Sequence, residues 1–171
     1  MRVMIEKPRG WTLKKGESVA VQGICSTVVE TRVGAFVVEY MPETLVTTTA
    51  RLFVKGMPVN LERSLRFGGC VEGHFVQGHV EARSRVMRTQ AKGASREITI
   101  AIPQPLMRFI APKGSIAIDG VSLTVAQKGA RSVMVAIIPH TLRTTTLGAL
   151  SKGDFVNIET DMLARQLVAA R

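Results

Sequence analysis

The chain is short of most features that announce a function. It has two cysteines, Cys25 and Cys70, three histidines and no C-x-x-C pair. Two thiols make no disulfide framework, and this ligand supply argues against a structural zinc site. In a reducing compartment each thiol reads most simply as a small buried hydrophobe. Aromatics are 5% of residues, too few for a base-stacking platform. The net charge of +10 is spread along the chain, and its densest stretch, Arg83 to Arg88, holds only three arginines. A barrel that binds RNA would rest on charge and fold alone, so a solvated basic surface is the plainer reading. No apolar run approaches the ~18 residues of a membrane span. The opening Met1-Arg2-Val3-Met4-Ile5-Glu6 meets charge too early for a signal peptide. These absences predict a soluble, cytoplasmic protein with no metal, no membrane contact and no nucleic-acid partner. Hydrophobic residues reach 46% of 171, enough to give one ordinary domain or two small ones a core.

What the chain does contain is a repeat, the pattern to seek first because missing it miscalls the fold. Shifted by 97 positions, Ser18–Ser64 falls on Ser115–Asp161 without a gap, and 17 of the 47 pairs are identical. SVAVQGICSTV at 18–28 faces SIAIDGVSLTV at 115–125, MPETLVTTT at 41–49 faces IPHTLRTTT at 138–146, and KGMPVNLE at 55–62 faces KGDFVNIE at 152–159. Each unit alternates as strands do, with Gly120 placed for a bulge or a close backbone approach. A turn at Lys128-Gly129-Ala130 leads to an apolar run, Val133 to Ile138, which Pro139 ends. Thr141 to Leu150 suits a short helix with Thr141 as N-cap, and Phe155–Glu159 a further strand. Short strands at close spacing with one short helix per unit predict small antiparallel barrels. Met162–Ala170 has helical spacing with Leu163 and Leu167 on one face; so short a helix needs something to pack on.

The second unit also carries a strand segment from Gly78 to Arg88 and another at Arg96–Ile102. The first unit has only Met1–Glu6 opposite the end of the latter. The expected architecture is all-β: two six-stranded Greek-key barrels, residues 1–75 and 76–161, the first lacking its opening strand, then a C-terminal oligomerisation helix, 162–171. An open barrel leaves an unpaired edge.

The tandem units, with IAIDGVSLTV, IPHTLRTTTLG and GHFVQGHV, resemble the α-subunit type of the riboflavin synthase family from about Gly16 to Asp161. That resemblance implies a trimer of two-barrel chains that disproportionates two molecules of 6,7-dimethyl-8-ribityllumazine into riboflavin and a ribitylamino-diaminopyrimidine, without cofactor or metal. It also suggests an association with lumazine synthase. Carried over by residue, it places Cys25, Ser26, Thr27, Glu39, Tyr40, Met41, Pro42, Glu43 and Thr44 along the first pocket, closed by Gly78, His79 and Val80. It places Lys113, Ser122, Leu123, Thr124, Ile138, Pro139, His140, Thr141, Leu142 and Arg143 along the second. Ser18, Cys25, His79 and Asp161 match positions with catalytic roles: a nucleophile adds to the donor ring, and a base takes a proton from the methyl group of the other lumazine. Plainer readings make Ser18 and Thr27 strand hydroxyls, His79 a surface histidine, His74 a brace, Lys113 a solvated turn residue and Asp161 the N-cap of the last helix.

Departures from the family lie in the first unit. No segment corresponds to its opening Met-Phe-Thr-Gly, Ser26 stands where leucine is common and Gln22 where asparagine is common. Thr49-Ala50-Arg51 faces Thr146-Leu147-Gly148, and Met57-Pro58 faces Asp154-Phe155. If Met1 is the true start, the expectation is a weak riboflavin synthase; the alternative is a non-catalytic relative that binds lumazine or riboflavin through one good barrel.

Overall fold

A computed structural model of the protein describes residues 1–170; Arg171, the last residue of the expected oligomerisation helix, lies outside the described residues. The first module holds β1 (Arg2–Glu6), β2 (Ser18–Val21), β3 (Ile24–Arg32), β4 (Ala35–Glu39), helix α1 (Pro42–Thr47) and β5 (Leu61–Arg63). The second holds β6 (Ala82–Lys92), β7 (Ser95–Ala101), β8 (Ser115–Ile118), β9 (Val121–Lys128), β10 (Ser132–Ile137), helix α2 (Pro139–Thr144) and β11 (Phe155–Thr160), and α3 (Met162–Ala169) ends the chain. No helix is long and apolar enough to cross a membrane among the described residues.

Strand order shows the duplication and its defect together. The second module is a closed barrel in the order β10-β7-β6-β11-β8-β9, and the first is an open sheet in the order β1-β4-β3-β2-β5. Element for element the orders agree, except that nothing in the first module stands where β6 stands in the second. There β6 closes the ring by pairing with β7 through Val86↔Ile100 and with β11 through Phe155↔Arg85. The first module is therefore open between β1 and β5. Each unit keeps its own core, one around Phe36, Val19 and Val28, the other around Ile98, Ile116 and Ile158.

The repeated sequence gives repeated irregularities. The register shifts between Val28 and Glu30 on β3 and at the corresponding Val125 step on β9, opposite Val38 and Val135. Gly120 is not at a bulge. Asp119 and Gly120, with φ of 50° and 82°, form the two-residue turn between β8 and β9, as Gln22 and Gly23 (51° and 75°) do between β2 and β3. Both central residues at positive φ are what a type I′ hairpin turn demands. The two turns meet: a Cβ on Gly23 would lie 2.4 Å from the Gly120 nitrogen, so the expected close approach is real and both glycines are required there.

Other local expectations are corrected. Thr141 is not a cap; Ile138 is the N-cap of α2, with Pro139 in the first turn, where its missing N–H costs nothing. The expected helix 141–150 is α2 followed by a 3-10 turn, Thr146–Ala149, whose cap Thr145 accepts from the Leu147 N–H. Cys25 and Cys70 are both exposed, not buried.

Candidate functional site

The two modules join through a hydrogen-bond network with approximate twofold symmetry. Asn60 and Asn157, equivalent under the 97-residue shift, each reach across. Asn60 Oδ1 accepts from the Thr146 N–H at 2.8 Å and Asn157 Oδ1 from the Thr49 N–H at 2.7 Å. Asn60 Nδ2 donates to the Asp119 carbonyl at 3.0 Å and Asn157 Nδ2 to the Gln22 carbonyl at 2.8 Å. Gln22 Oε1 and Asp119 Oδ1 accept from the Asn60 and Asn157 N–H groups in turn. The symmetry fails around the two threonines: Thr146 Oγ1 accepts from Gln22 Nε2, whereas Thr49 Oγ1 accepts from Asn157 Nδ2 and Asp119 Oδ2 is buried without a partner. Burial pushes the Asp119 carboxyl up to about 7, against the lowering by the Asn157 N–H that it accepts from and by the nearby Gln22 amide.

The connector between the modules runs along this junction. Glu159, 3% exposed, accepts from the Gln77 and Gly78 N–H groups at 2.8 and 2.9 Å. The Gly78 carbonyl accepts from the Cys25 N–H at 2.8 Å, and His74 Nδ1 lies 2.7 Å from Ser122 Oγ. Cys25 and Ser122 are equivalent positions, so the connector touches the same point of both units. Each contact involves a glycine with no room for a side chain: a Cβ on Gly78 would sit 2.7 Å from the Cys25 nitrogen, and one on Gly73 2.4 Å from Ser122 Oγ.

A cavity of about 790 Å³ opens along the connector, within the range of small-molecule sites. It gathers Cys25 and Gly78 from the expected first-pocket set, Ser122, His140 and Thr141 from the second, the expected catalytic residue Ser18, and His74 and Glu62 besides. Burial raises the Glu62 carboxyl, and burial lowers the His74 imidazole against the pull of Asp161 and Glu159. The remaining expected residues lie elsewhere. Thr27 and Thr124, equivalent to each other, are exposed one strand step beyond Cys25 and Ser122. Met41 and Ile138 are equivalent N-caps of α1 and α2, 71% and 58% exposed, and form an apolar lip on each unit. Glu39, Pro42, Glu43, His79, Lys113 and Arg143 are exposed, and Thr44, Val80, Pro139 and Leu142 half-buried.

Three expected residues, Ser26, Tyr40 and Leu123, turn toward the cores. Strand alternation turns Ser26 inward while Cys25 and Thr27 turn out. Ser26 Oγ donates to the Ile24 carbonyl and lies 3.0 Å from the buried Tyr40 hydroxyl. Leu123, the counterpart of Ser26, packs on the second core. Asp161 caps α3 by accepting from the Leu163 N–H at 2.9 Å.

The family description "Lumazine binding domain" matches residues 2–64 and 77–161, one copy per module. Riboflavin synthase of Brucella abortus is 41% identical over 159 residues, covering 90% of this chain and 79% of the relative. That of Bacillus subtilis is 38% identical over 152 residues, covering 89% and 71%. This chain belongs to the riboflavin synthase family. Among solved structures, LumP complexed with riboflavin aligns with a TM-score of 0.86 at 27% identity, over 93% of this chain and 87% of that one. LumP complexed with 6,7-dimethyl-8-(1'-D-ribityl) lumazine gives 0.83 at 26% over the same shares. For a riboflavin synthase family member, the residues that sequence reasoning passed over are those that join the units. Asn60 and Asn157 stood in the repeated KG-x-x-VN motif, and Glu159 beside them, but no spacing rule says that a strand residue will bond across a junction.

Proposed function

We propose that the chain is a riboflavin synthase: it transfers a four-carbon unit between two molecules of 6,7-dimethyl-8-ribityllumazine, releasing riboflavin and a ribitylamino-diaminopyrimidine. One observation carries this reading: two related surfaces, at equivalent positions of two joined units, differ in chemistry where they correspond. Cys25 faces outward in one unit where Ser122 stands in the other. A disproportionation needs both features, because the reactants are identical and their roles are not. Two ligands held in register convert a bimolecular step into an effectively unimolecular one, lowering the barrier by up to ~7–11 kcal/mol in well-oriented cases.

In this reading Cys25, Thr27, Met41 and Thr44 hold one lumazine under Gly78, His79 and Val80, and Lys113, Ser122, Thr124, Ile138 and Thr141 hold the other. A nucleophile adds to the donor ring, and a base removes a methyl proton from the acceptor. Ser18, Cys25, His79 and Asp161 are the candidates for this proton traffic; Asp161 does so while capping α3. Residues 1–75 and 76–161 form the two binding units. The C-terminal segment 162–171, whose α3 leaves Leu163 and Leu167 exposed, joins a homotrimer in the cytoplasm, where contact with lumazine synthase is a further expectation.

The test is riboflavin formation from purified ribityllumazine with no added cofactor. Turnover is expected, with Cys25→Ser and His79→Ala slowing it more than they weaken binding. The alignment with LumP complexes and the open first module favour a second reading, a binding protein, and tight binding without turnover would establish it. Unchanged binding in a Ser122→Ala, Thr124→Ala double variant would refute the second pocket.

A further inference from the structure

The connector is more than a tether. Its histidine, His74, sits in the cavity with Nδ1 at 2.7 Å from the Ser122 hydroxyl. Two features hold it there. Gly73, at φ 97°, lies so close to Ser122 that no side chain fits between them. Three residues along, Gln77 and Gly78 are clamped by the buried Glu159 carboxylate, and Gly78 is bonded to Cys25. The path of the backbone on both sides of His74 is thereby set, and the contact with Ser122 is built in.

We propose that His74 is a positioning residue of the second pocket, fixing the direction in which the Ser122 hydroxyl meets a bound ribityllumazine or riboflavin. This rests on Ser122 belonging to that pocket, as proposed above. The ring's other nitrogen, Nε2, is buried without a partner. A buried N–H left unpaired is rarer and more costly than an under-used acceptor, so the proton of the neutral ring belongs on Nδ1, donating to Ser122 Oγ. The serine hydrogen is then free to donate to a carbonyl or ring nitrogen of the ligand. A free serine rotor must be ordered on binding; one already engaged by His74 presents its donor in place. The first unit has no such arrangement, since Cys25 meets the connector through its backbone N–H and its side chain stays uncommitted. The connector thus makes equivalent positions of the repeat unequal.

The experiment is a double-mutant cycle read by riboflavin fluorescence titration of the full chain. His74→Phe keeps the ring and loses the hydrogen bond; Ser122→Ala loses the hydroxyl. Each is expected to weaken binding roughly five- to ten-fold, as for one hydrogen bond, and the double variant is expected to bind no worse than the weaker single. His74→Asn, whose amide nitrogen falls near the Nδ1 position, is expected to recover most of the loss. A side chain that only braced the connector would give multiplied effects and no rescue, and either result overturns the proposal. Unchanged binding by Ser122→Ala would overturn it together with the pocket assignment, whereas a loss in Ser122→Ala with none in His74→Phe would overturn His74 alone. Should His74→Phe not fold, His74→Gln, whose amide reaches the Nε2 position, replaces it in the same cycle.

Discussion

Position 26 shows how one residue can mislead. Next to Cys25 in a pocket-lining stretch it reads as a polar contact for ligand, yet it points into the core. The hydroxyl is there for Tyr40, whose counterpart is Ile137 just as Leu123 is the counterpart of Ser26. The first core thus holds a serine–tyrosine pair where the second holds leucine and isoleucine, and Tyr40 completes it with an edge-on contact to Phe53, ring centroids 6.2 Å apart. Burial pushes the Tyr40 phenol up to about 12, against the lowering by its bond to Ser26. The pair predicts non-additive substitutions. Ser26→Leu alone overfills the site and strands the phenol, costing about 1–3 kcal/mol. Combined with Tyr40→Ile it reproduces the second unit's chemistry and recovers part of the loss, which urea melts of the two singles and the double will show. The two exchanges were visible in the aligned repeat, but that residues 26 and 40 touch depends on the pairing of β3 with β4.

Among elements, the barrels were legible because apolar alternation and the gapless repeat carry most of their information. The hairpin turns were half-legible. Asp119-Gly120 is a strong type I′ signal, yet IAIDGVSLTV is apolar on both sides of it and reads as one interrupted strand. Gln22-Gly23 takes the same turn only because the module junction fixes it. The connector was the least legible element, since residues 65–80 form no strand or helix and are held by Glu159 and Ser122 from distant parts of the chain. Glu159→Ala leaves two backbone N–H groups without an acceptor, each costing ~1–3 kcal/mol where solvent cannot replace it. The variant is expected to melt earlier, and limited proteolysis is expected to cut between 64 and 81 faster than in the parent chain. An unchanged cleavage pattern would mean that the clamp does not hold the connector.

At the scale of the whole molecule, the junction departs from symmetry where glutamine in one unit stands opposite aspartate in the other. Gln22 Nε2 donates to Thr146 Oγ1, whereas Asp119 Oδ2 is buried without a hydrogen-bond partner. A proton on Oδ2 would remove a negative charge from the buried junction. Burial favours that same neutral form, holding the group at about 7 in the folded chain against an ordinary 3.8. The folded state therefore binds this proton more tightly than the unfolded one. Stability from this residue is full below about pH 4, falls as pH rises through the interval to about 7, and is lowest above it. At about 1.4 kcal/mol per pKa unit the fall amounts to a few kcal/mol. Asp119→Asn carries no proton to lose, so wild type and variant should converge near pH 4, diverge as pH rises to about 7 and stay apart above it, with the variant the more stable at pH 8. Urea denaturation of both at pH 5, 6, 7 and 8 measures the difference, in which other titrating groups cancel. If the two stabilities run parallel across that range, Asp119 is ionised in the folded protein and the junction tolerates its charge.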